Sequence, residues 1–389
     1  MKMPLDIKEV LNAAADTEAA RSMPIRVSVF FDLQVPDELL RYVCRAFDTK
    51  APNAYVHLME YPVGPFVLEP GCDLAVLVAG LSPATGMMAK SIRDAGVPVL
   101  TVTTLPKIVK EQASAAGYPL IEADVIAPAV EVDGLALPAD SDFNQEPYPL
   151  TVDRLQSLSN RMGDWVVDTF REKRLAFALA FPFVRRPLAM EFVNATSVQN
   201  AGIGLVVILP GADLPVMTLN QAKMILQIAA AYDQTLGKER IRELLAVVGG
   251  GFACRAVARQ LVALAPGWGW AIKAGIGFTG TVAMGYAAIA YFEQLEGEGG
   301  MIDDALAMAK LEAARVQDAL KSGETPVEGV VAAATTVAGD TANGVVDAAK
   351  RVIPNVRSTV VDLCASADVK PAELGKQIVR SLAASGKAE

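Results

Sequence analysis

The run DLAVLVAG, Asp73 to Gly80, decides how the first part of this chain reads. Between an aspartate and a glycine it offers only apolar side chains and therefore no polar face. A strand of this kind is buried on both sides, as in a parallel sheet covered by helices. Its neighbours agree. Upstream lie IRVSVFF (25–31), a β-rich run, then PDELLRYVCRAF (36–47), which opens on Pro36 with acids in its first turn, a helix start. AYVHLME (54–60) is a further strand candidate. Downstream, ATGMMAKSIRDAG (84–96) is a helix closed by Gly96, and VPVLTVTT (97–104) is a strand. PKIVKEQASAAG (106–117) is a helix stopped by Gly117, and YPLIEADVIAP (118–128) is a last strand. Strands and helices alternating over short connections predict an α/β parallel-sheet domain over 25–128, behind a helical arm over 1–24.

Composition narrows the function classes. Hydrophobic residues make up 52% and charged residues 20%, with aromatics at only 6%. The excess lies in Ala, Val, Leu and Met, which suits helices with small-residue contacts. Of the net charge of −9, Met1 to Leu150 carries all, with 11 Lys+Arg against 20 Asp+Glu, leaving 24 of each for the rest. No basic stripe occurs, which argues against nucleic acid. Cys44, Cys72, Cys254 and Cys364 form no CxxC pair, and His57 is the single histidine, too few ligands for a zinc site. The cysteines are expected to be buried small hydrophobes. The N-terminus carries acids and no continuous apolar core, so a cytoplasmic, reduced protein is expected.

The order over Arg26 to Pro128 resembles a degenerate GTPase domain of the translation-factor-like superclass. DLAVLVAG resembles the strand after the second switch, and VPVLTVTTL the strand that ends in the guanine-reading motif. The phosphate chemistry is missing. A phosphate loop needs GxxxxGK[ST] after the first strand, and this chain has FFDLQVPDELL there, with acids and no Gly or Lys. Thr103-Thr104-Leu105-Pro106 stands where NKxD would be, and Glu60 and Pro62 fall where DxxG is expected. The resemblance implies a pseudo-GTPase scaffold without hydrolysis. An unrelated flavodoxin-like sheet is the alternative.

An acidic, proline-punctuated linker is expected over 129–150, a solvated connector. Helical periodicity begins at Thr151, and Val152, Leu155, Leu158, Met162, Trp165, Val166 and Phe170 mark one face. LAFALAFPFV (175–184) spans about 15 Å as a helix, half a bilayer core, and reads as a core or an interfacial segment. From Arg174 to Gln294 the chain resembles a bacterial helical family, domain of unknown function six-nine-seven, often fused behind GTPase domains. PGADLPVMTLNQAKM with Asp213, Thr218, Gln221 and Met224, and RAVARQLVALAPGWGW before a Gly/Ala-rich helix, carry that resemblance. Pro210-Gly211 breaks one helix and Thr218 is expected to cap the next. Asp213 and Gln221 read either as a polar site between helices or as capping and a buried hydrogen bond. Arg255 and Arg259, one turn apart, either grip lipid phosphate or an acidic partner, or snorkel.

KAGIGFTGTVAMG (273–285) formally matches the dinucleotide fingerprint at Gly275, Gly277 and Gly280. No strand precedes it, so that reading is rejected. Gly277, Thr281 and Gly285 instead form a small-residue stripe that permits close helix approach, a feature common in membranes. Membrane insertion and packing inside a bundle both stay open. The expected all-α domain runs over 151–321 and an Ala/Val-rich helical tail over 322–389.

No GxSxG, HExxH, Walker motif or Cys/His cluster occurs, so no catalytic residue, cofactor or metal site is expected. The expectation is a non-catalytic scaffold on the cytoplasmic face of the inner membrane, held peripherally or by re-entrant helices, with a protein partner or as a homo-oligomer. A soluble adaptor for a true GTPase or other protein is the alternative, and a residual nucleotide binder the last.

Overall fold

Strand β1 (Ile25–Phe31) lies between β2 (Ala54–Glu60) and β3 (Leu74–Val78), and the computed structural model extends this to five parallel strands in the order β2-β1-β3-β4-β5. It describes residues 7–62, 67–128, 131–132, 135–136, 150–206, 213–234, 281–282, 284–293 and 295. Ile25 pairs with Ala54 and Val27 with Leu74, so β1 is held on both edges. Every residue of β3 and of β4 (Val99–Val102) is buried, as the unbroken apolar runs require. Helix α1 (Ile7–Arg21) precedes the sheet, α2 (Asp37–Ala46) follows β1, α3 (Ala84–Asp94) follows β3 and α4 (Pro106–Ala115) follows β4.

Both sheet faces are filled. Phe30, Ala75 and Leu77 point to one side, where Met88, Ala89 and Ile92 of α3 cover them. Val27, Val29, Leu74, Val76 and Val78 point to the other and are equally buried. Gly96 (φ +78) and Gly117 (φ +83) end α3 and α4 in the left-handed region. Val97 N–H and Tyr118 N–H then reach back to the carbonyls of Ile92 and Ala113, which closes each helix with the six-to-one bond of a Schellman cap. The last expected strand is short. Only Val125–Ile126 (β5) pairs with β4, because Glu122–Asp124 curls into a 3-10 turn beside it. Within the acidic stretch, β6 (Glu131–Val132) and β7 (Leu135–Ala136) form a separate antiparallel pair.

After Leu150 the chain is helical wherever described, apart from short connections. Thr151 Oγ1 caps α5 (Val152–Thr169) by accepting from Arg154 N–H, and α6 (Arg174–Ala180) follows. LAFALAFPFV is a core segment: Leu175 to Ala178, Ala180 and Phe181 are inside, apart from Lys/Arg-flanked ends. Phe181 meets Phe47 of the α2 C-terminus edge-on at 5.1 Å. Helices α7 (Arg185–Val206) and α8 (Asp213–Ala231) complete the named elements. Helix α8 starts at Asp213, so Thr218 lies inside it and is not its cap. Pro215 falls in the first turn, where a missing N–H costs nothing.

The chain divides into two compact units. Ala15–Ala189 with Ala230–Gln234 form one, so α5 and α6 share the sheet's unit, and the other described residues belong to the second. In the first, Lys173 Nζ bridges Asp73 (2.7 Å) and the Pro24 carbonyl (3.1 Å), while Asp73 also accepts from Arg26 N–H, tying the turn after α5 to the start of the sheet.

On α5, Asp164 keeps solvent access, yet surrounding protein and then the charge of Asp168 push its carboxyl up to about 6 against the pull of Arg161. A folded-state value raised above 3.8 means that the native chain holds a proton the unfolded chain has lost. That contribution is complete below the unfolded value and disappears as pH rises through 6. Asp164→Asn is therefore expected to be more stable than wild type at pH 7.5 and indistinguishable at pH 4, as read from urea midpoints.

Candidate functional site

In an open α/β sheet, ligands bind outside the carboxyl ends of the strands where the strand order reverses. Here that point lies between β1 and β3, since the chain leaves β1 for β2 on one side and returns to β3 on the other. The residues after β1 are Asp32 to Pro36, and those after β3 are Ala79 to Ser82.

The crevice is closed by its own carboxylate. Asp32 is 5% exposed, with its N–H donating to the Val78 carbonyl at 3.0 Å. Its Oδ1 accepts from Gln34 N–H at 3.1 Å and its Oδ2 from Ser82 N–H at 2.8 Å. Backbone donors that could take a phosphate oxygen are thus spent on an internal anion. Gly80 lets this happen: a Cβ there would lie 2.7 Å from Asp32 Oδ2 and 2.9 Å from the Gln34 carbonyl oxygen. The N-terminus of α2, the other natural anion position, carries Asp37 and Glu38 in its first turn.

Around this closure the polar groups also pair internally. Thr85 Oγ1 donates to the Ser82 carbonyl at 3.1 Å and meets the Tyr61 hydroxyl at 3.4 Å. Burial pushes the Tyr61 hydroxyl up, the Thr85 hydrogen bond opposes this, and the Asp32 charge adds to it. Thr103 Oγ1 accepts from Leu105 N–H at 3.1 Å, where the guanine-reading motif would lie. Outside the closure, Leu33 is 75% and Leu81 42% exposed. The described thiols are half-buried. Burial pushes both Cys44 and Cys72 up, and Cys72 donates to Ser28 Oγ and the Leu74 carbonyl. Among the described residues no group of three His, Cys, Asp or Glu side chains could hold a metal.

The second unit brings two of the sequence candidates together. Gln221 of α8 donates to Thr281 Oγ1 at 2.8 Å, and Asn200 of α7 donates to the same oxygen at 2.9 Å. Asn220 then donates to Asn200 Oδ1 at 3.1 Å. Asn200, Gln221 and Thr281 are at most 2% exposed, so this network links three helical stretches inside an apolar layer. Ser197 Oγ, one turn from Asn200, is buried without a partner among the described residues. Sequence reasoning missed Asn200 and Ser197, because their small-residue helix showed only small residues; their i,i+3 spacing was the available signal.

Gly285 packs on Val193, and any Cβ would run into that side chain, 2.7 Å from its Cγ1. Val282, Met284, Tyr286, Ile289 and Phe292 are all covered as well, so the described part of this stretch is enclosed by protein on every side but Ala287 and Leu295. Gly285→Ala is expected to cost about 1–3 kcal/mol by overpacking a β-branched neighbour, measurable as a lowered thermal midpoint. Asp213 is the first residue of α8. Gly275, Gly277, Gly280, Arg255 and Arg259 lie outside the described residues. No described helix is long and apolar enough to cross a membrane.

No family model matches the chain, and neither a curated protein nor a solved structure is significantly similar to it.

Proposed function

We propose that this chain is a non-catalytic scaffold: a degenerate GTPase-like α/β unit that has given up nucleotide, followed by an all-α domain. The observation that carries this reading is the Asp32 carboxylate held by Gln34 N–H and Ser82 N–H at the strand-order reversal. An anionic phosphate would have to expel a buried carboxylate of the same sign, and the loop from Phe31 to Pro36 has no Lys or Arg to offset the repulsion. The strand order is also that of flavodoxin-like sheets, so the proposal rests on the closed crevice and not on the order. Calorimetric titration with GTP, GDP and ATP is the test. No heat of binding is expected up to millimolar nucleotide, and micromolar affinity for any of the three would end the proposal.

Attachment to the cytoplasmic face of the inner membrane is the further part of this reading, through the Gly/Ala-rich helices. Flotation with anionic liposomes tests it, and protein left entirely in the dense fraction counts against it. The alternative, an adaptor for a true GTPase or another protein, draws support from a separate observation. Leu33 and Leu81 expose apolar surface directly over the closed crevice, where desolvation favours a protein partner. A complex formed without lipid and lost on Leu33→Asp would favour the adaptor.

A further inference from the structure

Strand β2 is the outer strand of the sheet, and its free edge is unprotected. Natural edges are blunted by lysine, proline, bulges or very short strands. AYVHLME has none of these: it runs seven residues in unbroken register with β1 and contains no Lys, Arg or Pro. The direction of its backbone groups follows from its hydrogen bonds. Ile25 N–H donates to the Asn53 carbonyl and Tyr61 N–H to the Phe31 carbonyl, both at 2.9 Å. Odd-numbered residues therefore turn their polar groups toward β1, and Val56, Leu58 and Glu60 turn theirs outward.

We infer that β2 pairs with β2 of a second copy, antiparallel about a two-fold axis at His57, to join the two sheets into one of ten strands. A two-fold interface must be self-complementary, and this register is. Val56 falls opposite Leu58 of the second copy, and each such pair exchanges two backbone hydrogen bonds between outward-turned groups. On the face away from α2, Tyr55 falls opposite Met59 of the second copy, an aromatic–aliphatic pair. His57 faces His57 of the second copy, each with Glu69 3.2 Å from its Nδ1 to offset like charge. Glu60 falls opposite an alanine and meets no acid. A shift to Leu58 opposite Leu58 would instead set Glu60 against Val56, which the apolar pairing disfavours.

The pairing also covers surface that now lies open. Tyr55 and Leu58 are 57% and 44% exposed. Beside them a 430 Å³ cavity is lined by Cys44, Phe47 and Asp48 from the end of α2 with Val56 and Leu58. Val56 and Leu58 of the second copy fall at its mouth. This interface is independent of the crevice and of nucleotide, so either idea can fail alone.

Sedimentation of the full chain over a concentration series tests the inference, with Leu58→Lys and Leu33→Lys as paired variants. The expected result is a mass of twice 41.0 kDa at high concentration that falls to 41.0 kDa on dilution. Leu58→Lys should weaken the dimer at least tenfold with unchanged circular dichroism, and Leu33→Lys should leave it alone. The register has its own reporter. Facing residues at a non-hydrogen-bonded position sit about 4.5 Å apart between Cα atoms, so His57→Cys should give a reducible covalent dimer that wild type does not. A monomer at every concentration, a dimer indifferent to Leu58→Lys, or a His57→Cys variant that cross-links no better than wild type would each overturn it. So would a foreign extended peptide on the edge of a chain that stays monomeric.

Discussion

Phe181→Ala is expected to destabilise the sheet-containing unit by about 3–5 kcal/mol. The ring has no exposed surface and is the centre of an aromatic cluster. It lies 5.1 Å from Phe47 edge-on, 6.0 Å from Phe183 stacked and 6.1 Å from Phe177 tilted. Phe47 meets Phe183 at 5.1 Å as well, so the cluster fastens the end of α2 to the chain after α6. Truncation removes the transfer energy of a whole ring and leaves a void that rigid rings cannot collapse to fill. Urea unfolding reads the loss as a lowered midpoint with an unchanged slope. Val152→Ala, at a position 82% exposed, is the control and should stay within about 0.5 kcal/mol. A loss below 1 kcal/mol for Phe181→Ala would mean that the cluster does not hold these elements together.

The second large effect belongs to the closed crevice. Asp32→Ala is expected to cost about 3 kcal/mol, because it strands two backbone N–H groups whose acceptor was a charged oxygen. Asp32→Asn separates charge from shape. One amide oxygen still accepts, while its NH2 confronts the other backbone donor, so the loss should be smaller than for alanine but not absent. Equal, near-zero losses for both would show that Asp32 plugs nothing. Gly80→Ala reaches the same closure from the other side, by driving a methyl into the carboxylate and the Gln34 backbone.

Much of the sheet was legible along the chain. DLAVLVAG became β3 with every residue buried, because an unbroken apolar run excludes a solvent face. Gly96 and Gly117 ended their helices, because a positive φ costs glycine least. Errors came where local rules competed. Thr218 looked like a cap, yet α8 begins at Asp213, since Pro215 suits a first turn better than an interior position. YPLIEADVIAP had strand composition, but Lys110 pairs with Glu122 and Trp165 donates to Asp124, and these hold its middle in a turn.

Of the candidate sites, the sequence alone established that acids replace the phosphate loop and that Gln221 and Thr281 are polar groups within apolar helices. Short-range periodicity, glycine positions and side-chain polarity determine such features, since each depends on a few neighbouring residues. Folding decided the rest. Ser82 reaches Asp32 across fifty positions, Thr281 reaches Gln221 across sixty, and Phe181 comes to rest on Phe47. Whether a polar group points at solvent, ligand or its own chain depends on which distant backbone arrives beside it, and only packing brings that about.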